Sequence, residues 1–164
     1  MNKIENSYNK EQFIHQLEKR KGGYFYLTLP ADYVNQFQNK RHTRFICTLE
    51  NSLTFQCGLN HLGDGNFFII LSSKNLKTIH KQLGDKIFFE LTEDPNPLGV
   101  EMPEILEAVL AQDQELKATF DSLTPGKKRN VIHQIIKIKD IDKQIHKTIK
   151  LITDSTKPRP KRVL

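Results

Sequence analysis

The chain has 164 residues, 37% hydrophobic and 27% charged, with a net charge of +6. That length suits one domain, or one domain with an appendage, and can bury a real core. No apolar run approaches the ~20 residues that cross a bilayer, and the N-terminal stretch lacks a hydrophobic signal segment, so no membrane insertion and no secretion are expected and the expected location is cytoplasmic.

Two cysteines, Cys47 and Cys57, are too few for a disulfide framework and are not spaced as a zinc site. They read as reduced, buried small hydrophobes. The charge is uneven: residues 124–164 hold 12 Lys and Arg against three Asp and Glu. Such asymmetry marks either an anion-binding surface or a solvated helix face.

In chain order, residues 1–9 read as frayed. Residues 11–18 alternate, with Phe13, His15 and Leu17 apolar or aromatic, and predict a strand. Gly22-Gly23 is a turn, and residues 24–29 are dense in aromatic and β-prone types, a second strand. Pro30 ends it and is well placed to open a short helix over 31–37, followed by a polar, basic loop over 38–43.

Residues 44–50 and 53–59 predict two strands with Phe45, Cys47 and Leu49 facing one way on the first and Phe55, Cys57 and Leu59 on the second. A two-residue loop would set one apolar face against the other's polar face. An odd register, with Cys47 opposite Cys57 and Leu49 opposite Phe55, matches the faces. Gly63-Asp64-Gly65-Asn66 is a turn, and residues 67–71 form an unbroken apolar strand. Ser72-Ser73 caps a helix over 74–82, Gly84 stops it, and residues 86–92 form the last strand.

After a Pro-rich linker the period becomes helical. Pro103 opens a helix with Ile105, Leu106, Val109 and Leu110 on one face. Asp113 caps a second, carrying Leu116, Phe120 and Leu123. Thr124-Pro125 starts a third, with a predicted stripe of Val131, Ile132, Ile135, Ile136 and Ile138. Asp140 caps a fourth, with Ile141, Ile145, Ile149 and Ile152 predicted inward. Residues 154–164 read as a basic, disordered tail.

Two segments resemble one family. Gly22-Gly23-Tyr24-Phe25-Tyr26-Leu27-Thr28-Leu29-Pro30, then Gly65, Lys74 and Gly84-Asp85, look like the glycine turn, aromatic strand and proline-led helix of the first. Leu123-Thr124-Pro125 through Arg129 to Lys139 resembles the second. Together they are similar to the YdeI/OmpD-associated group in its form with an N-terminal β-barrel domain of unknown function. The resemblance implies a barrel akin to the double-split barrel of AbrB-like DNA-binding proteins, and an association with antimicrobial-peptide or bacteriocin resistance. The chain departs from the pattern at Gly126 (usually serine), at Ile138 (usually alanine), and at Gln144 and Lys147 (usually arginines). A role tied to that arginine pair does not carry over.

The expected fold class is α+β: a small antiparallel, double-split-like β-barrel over 1–94, a linker over 95–102, and about four short helices over 103–153. Lys143, Lys147 and Lys150 share a helical face, and with Lys127, Lys128, Arg129, Lys137 and Lys139 they make a candidate anion or nucleic-acid surface. The alternative is a solvated face opposite the isoleucines. Lys139, near a helix end, is expected to cap carbonyls there. Tyr24, Tyr26 and Phe68 are the candidate lining of a barrel pocket, with core packing as the alternative. His15, His42, His61, His80, His133 and His146 form no local ligand motif, so no metal, cofactor or catalytic residue is expected. The functional expectation is a non-enzymatic cytoplasmic binding or stress-resistance protein, monomeric or a small homo-oligomer, with an unidentified protein or anionic partner. The alternative is nucleic-acid binding through the basic helices.

Overall fold

The computed structural model describes residues 7–158. The chain folds as two compact units, Met1–Gly99 and Val100–Leu164. The first is β-rich and the second helical, so the mixed α+β class holds.

The first unit contains β1 (Tyr8–Phe13), β2 (His15–Gln16), β3 (Phe25–Leu29), α1 (Ala31–Val34), β4 (Phe45–Leu49), β5 (Leu53–Cys57), β6 (Asn60–His61), β7 (Phe67–Leu71), α2 (Ser73–Thr78) and β8 (Lys86–Glu93). All pairings are antiparallel, in two four-stranded sheets ordered β1-β8-β4-β5 and β2-β3-β7-β6. The expected barrel thus takes the form of two sheets rather than one continuously bonded cylinder. β1–β2 and β5–β6 are near-continuous runs that leave one sheet and enter the other, and the ladders break at those bends. One core cluster, including Leu27, Leu29, Phe45, Leu49, Ile69, Ile87, Phe89 and Leu91, draws on both sheets.

The bends explain where the sequence pattern misled. Tyr8 and Asn9, read as frayed, lie in β1; residues 1–6 lie outside the described ones. The predicted alternation through Phe13, His15 and Leu17 has the wrong parity: Ile14 is the buried residue, and Phe13 is exposed. Ile14 exchanges backbone hydrogen bonds with the Gly84-Asp85 turn, donating to Asp85 O and accepting from Gly84 N, and this holds the chain at the corner. Period-two reading fails across a corner because the strand changes the sheet it belongs to.

The β4–β5 hairpin has the odd register, but shifted by two residues. Phe45 faces Cys57, Cys47 faces Phe55, and Leu49 faces Leu53. Glu50 and Asn51 both have positive φ (50° and 53°), and Ser52 N donates to Leu49 O, a tight turn that fits the twist of a hairpin. The third loop residue, Ser52, restores matched faces, so Cys47 and Cys57 both point into the core.

α1 is shorter than expected, because Asn35 closes it with hydrogen bonds back to Ala31 and Tyr33. Its Tyr33 joins Phe37, Phe45 and Tyr8 in an aromatic cluster with centroids 4.7–6.1 Å apart. α2 is capped by Ser72, whose Oγ accepts from Asn75 N, as the sequence implied. It stops earlier than Gly84: His80 takes a left-handed φ of 56°, and Lys81 N donates to Leu76 O.

The second unit holds α3 (Glu104–Gln112), α4 (Gln114–Asp121), α5 (Pro125–Ile136) and α6 (Ile141–Asp154). Asp113, Thr124 and Asp140 cap the last three by accepting from Leu116 N, Lys127 N and Lys143 N. Its buried side chains include Leu106, Leu110, Leu116, Phe120, Val131, Ile132, Ile135 and Ile152. Two predicted stripes need correction. Ile136 is 56% exposed on α5, and Ile141 and Ile149 are 62% and 44% exposed on α6. On α6 the fully buried positions are Thr148 and Ile152. Thr148 enters at little polar cost because its Oγ1 donates to Gln144 O at 2.7 Å. Beyond Asp154, Ser155 Oγ donates to Leu151 O and Lys157 N to Asp154 O; of the expected tail, residues 159–164 lie outside the described ones.

Candidate functional site

One step beyond the Phe45–Cys57 and Phe45–Glu93 pairs, the same registers bring Arg44 opposite Gly58 on one side and Asp94 on the other. Asp94 N donates to Arg44 O at 2.9 Å, which extends the β4–β8 ladder to this point. Gly58 is the first residue of the bend that carries the chain from β5 to β6. Arg44 therefore sits where a sheet ends and the chain crosses to the other.

Two glycines leave the room its side chain occupies. A Cβ on Gly58 would overlap Arg44 Nη1, and one on Gly99 would overlap Nε. Gly99 also has a φ of 73°, which glycine adopts without strain. Held between them, Arg44 Nε is buried and meets no hydrogen-bond acceptor among the described residues. A buried guanidinium N–H without an acceptor costs free energy, so this is a donor in want of a partner.

Asp94 does not supply one. Its carboxylate is buried, with Oδ2 accepting from Gln56 Nε2 at 3.0 Å and Oδ1 from Asn96 N at 2.9 Å. Amide donors thus serve the carboxylate.

Arg44 lines a cleft of about 330 Å³ with Phe55, Gln56, Cys57, Gly58, Leu59, Asn60, Ile70, Ser72 and Asn75. Of these, Arg44 alone is charged. It also borders a second cleft, of about 430 Å³, whose wall includes Glu93 and Asp94. The first is thus positive in character and the second mixed.

Cys57 is the one thiol in the first cleft's wall. Burial pushes it up to about 12; Arg44 pulls it down and Asp94 pushes it further up, and burial wins. Cys47, more deeply placed, is also held protonated by burial, with Cys57 adding to the effect. Neither is a thiolate at neutral pH. Ser72 Oγ is engaged as the helix cap. The cleft therefore offers donors and an apolar wall, with no activated nucleophile in it.

The residues predicted from sequence lie elsewhere. Tyr26 and Phe68 do meet, edge-on with centroids 5.3 Å apart, and Tyr26 also stacks on His15 at 5.3 Å. They alternate with Leu27 and Ile69 of the main core cluster, so they lie on the other face of their sheet, where Phe68 is nonetheless buried and Tyr26 half-buried. Tyr24 is half exposed and its ring lies over Gly22.

The basic residues of the second unit separate by role. Lys127 Nζ donates to Ser155 O at 3.0 Å, tying the start of α5 to the end of α6. Lys128 lies over the Phe120 ring at 5.5 Å. Arg129 is partly buried, while Lys137 is exposed. Lys143 and Lys150 are exposed on α6 and Lys147 is partly so. Asp154 is held below its ordinary value, first by the hydrogen bond from Lys157 and then by the charges of Lys157, Lys150 and Lys147. Lys139 is exposed past the end of α5. The capping expected of it falls to Gln144, whose Nε2 donates to Ile138 O at 2.7 Å and Ile135 O at 3.4 Å. Gln144 also borders an apolar groove with Pro103, Ile105, Ala108 and the exposed Ile141.

Sequence reasoning missed Arg44. The available signal was Gly58, a glycine directly after an alternating strand, which marks close approach of another group. Among the described residues no group of His, Cys, Asp and Glu is arranged to hold a metal, and no helix is long and apolar enough to cross a membrane.

Two family models match the chain. Residues 13–91 match a domain of unknown function, DUF1905. Residues 99–153 match the family described as bacteriocin-protection, YdeI or OmpD-associated. No curated protein and no solved structure matches the chain.

Proposed function

We propose, for a chain whose C-terminal region belongs to the YdeI/OmpD-associated family, that it is a non-enzymatic cytoplasmic binding protein serving stress or antimicrobial resistance. The observation that carries this reading is the Arg44 guanidinium, packed against two glycines with a buried Nε that meets no acceptor among the described residues, at the wall of a cleft. The same wall holds its thiol protonated and its serine engaged as a cap, which favours holding a ligand over transforming it. The family description supplies the resistance setting.

The test is a thermal-shift screen of the full chain against a metabolite library, since stabilisation follows ligand affinity. Each hit is then recovered and weighed by mass spectrometry. The expected result is a hit that raises the melting temperature and returns unchanged. Conversion of a hit on incubation would make the protein an enzyme, and a screen without any shift would remove the binding reading.

A second reading, nucleic-acid binding, is favoured by Lys143, Lys147 and Lys150 on one face of α6. Phosphate contacts of this kind weaken steeply with salt. Retention on heparin that is lost in a Lys143/Lys147/Lys150→Glu variant would support it. No retention, with no shift of mixed RNA or DNA, would end it.

A further inference from the structure

We infer that the Arg44 cleft takes a small organic monocarboxylate: the carboxylate on the Arg44 guanidinium, the carbon skeleton against Phe55, Leu59 and Ile70. This rests on the binding reading above and names the ligand class that the cleft fits.

The charge argument comes first. Arg44 is the one charged residue lining the cleft, so the site carries a single positive charge. Asp94, directly opposite Arg44 across the β4–β8 ladder, places a negative charge behind it. A monoanion matches the single cation of the cleft wall, with Asp94 opposing any further negative charge. A phosphate dianion would bring a second negative charge toward Asp94 with no second cation to meet it.

Geometry narrows the choice further. A guanidinium presents paired N–H donors in a plane, which matches the two oxygens of a carboxylate. Gly58 removes the side chain that would displace Nη1, so the fork keeps its position at the cleft wall. Nε itself is buried, so the Nη groups are the ones that can face the cleft. Asn60 and Asn75 add amide groups on the wall, while Phe55, Leu59 and Ile70 give it an apolar side. A volume of about 330 Å³ is near the lower end for ligand pockets, which limits the guest to a few carbons or one ring.

The experiment is calorimetric titration of the full chain with isovalerate and benzoate, with isovaleramide as the neutral isostere and inorganic phosphate, at a pH above its second ionisation, as the dianion. Two variants accompany it. Arg44→Gln removes the charge. Gly58→Ala keeps the charge but pushes Nη1 out of place, and Gly58 has no positive φ that alanine would strain. The expected result is binding of at least one carboxylate, with isovaleramide and phosphate about tenfold weaker or more, and a similar loss in both variants. If Arg44→Gln does not fold, Gly58→Ala and the ligand series decide. Equal binding of isovaleramide and isovalerate, abolished by Gly58→Ala, would overturn the carboxylate while leaving a binding cleft. Phosphate binding tighter than both acids would overturn the monoanion. Failure of all four probes to bind the wild-type chain would overturn the inference outright, and a library hit then found elsewhere would leave the binding reading standing.

Discussion

Gly58 stands opposite Arg44 across the β4–β5 ladder, and the space its missing side chain leaves is filled by Arg44 Nη1. Gly99 does the same for Nε. The two differ in what a substitution must displace. At Gly58 alanine meets the far end of a flexible side chain, on backbone that any residue adopts. At Gly99 it also meets a φ of 73°. Gly58→Ala is therefore expected to change stability by within about 0.5 kcal/mol, and Gly99→Ala to cost roughly 1–3 kcal/mol. Urea unfolding of both variants measures this; equal losses would mean that the φ at Gly99 carries no strain.

Gln144, and not Lys139, closes the end of α5. Gln144→Ala removes donors from Ile135 O and Ile138 O and is expected to cost about 1–2 kcal/mol. Lys139→Ala, at an exposed position, is expected to stay within about 0.5 kcal/mol. A larger loss at Lys139 than at Gln144 in thermal unfolding would restore the original assignment.

Both cysteines face the core, and burial holds their thiols neutral. A thiol reagent is expected to label them only on unfolding. Cys47→Ser is expected to cost about 1–3 kcal/mol, because a hydroxyl enters an apolar site. Rapid labelling of native Cys57 would show that its wall of the cleft is open.

The same thiols predict a pH dependence. Cys57 rises from an ordinary 9.0 to about 12 on folding. Between those values the unfolded chain releases its proton while the folded chain keeps it, so stability falls as pH rises through that window. Below pH 9 the contribution is fully present. Urea midpoints across that alkaline range, compared with a Cys57→Ala variant, check it: the wild type is expected to lose more stability than the variant.

The local features were readable from sequence. Ser72, Asp113, Thr124 and Asp140 cap helices as their types imply, and the β7 run is core. Corners and partners were less so. Ile14 is buried because the strand changes sheets there, which no period reveals. Thr148 displaces Ile149 from the buried face of α6 because a backbone acceptor satisfies its hydroxyl, a possibility hydropathy does not price. Arg44 escaped notice for a different reason. Its setting is assembled from Gly58, Asn60, Ile70, Ser72 and Asp94, residues that only the two sheet registers bring together.

The most direct measurement is the side-chain Nε–H resonance of Arg44 in a nitrogen–proton NMR spectrum, assigned by Arg44→Lys and followed during titration with isovalerate. A buried Nε–H is shielded from solvent, so a slowly exchanging signal is expected in the free protein. Addition of the acid is expected to shift it in a saturable manner, while isovaleramide leaves it in place. A signal that exchanges as fast as those of exposed arginines, or one that no carboxylate moves, would contradict the Arg44 cleft as the binding site.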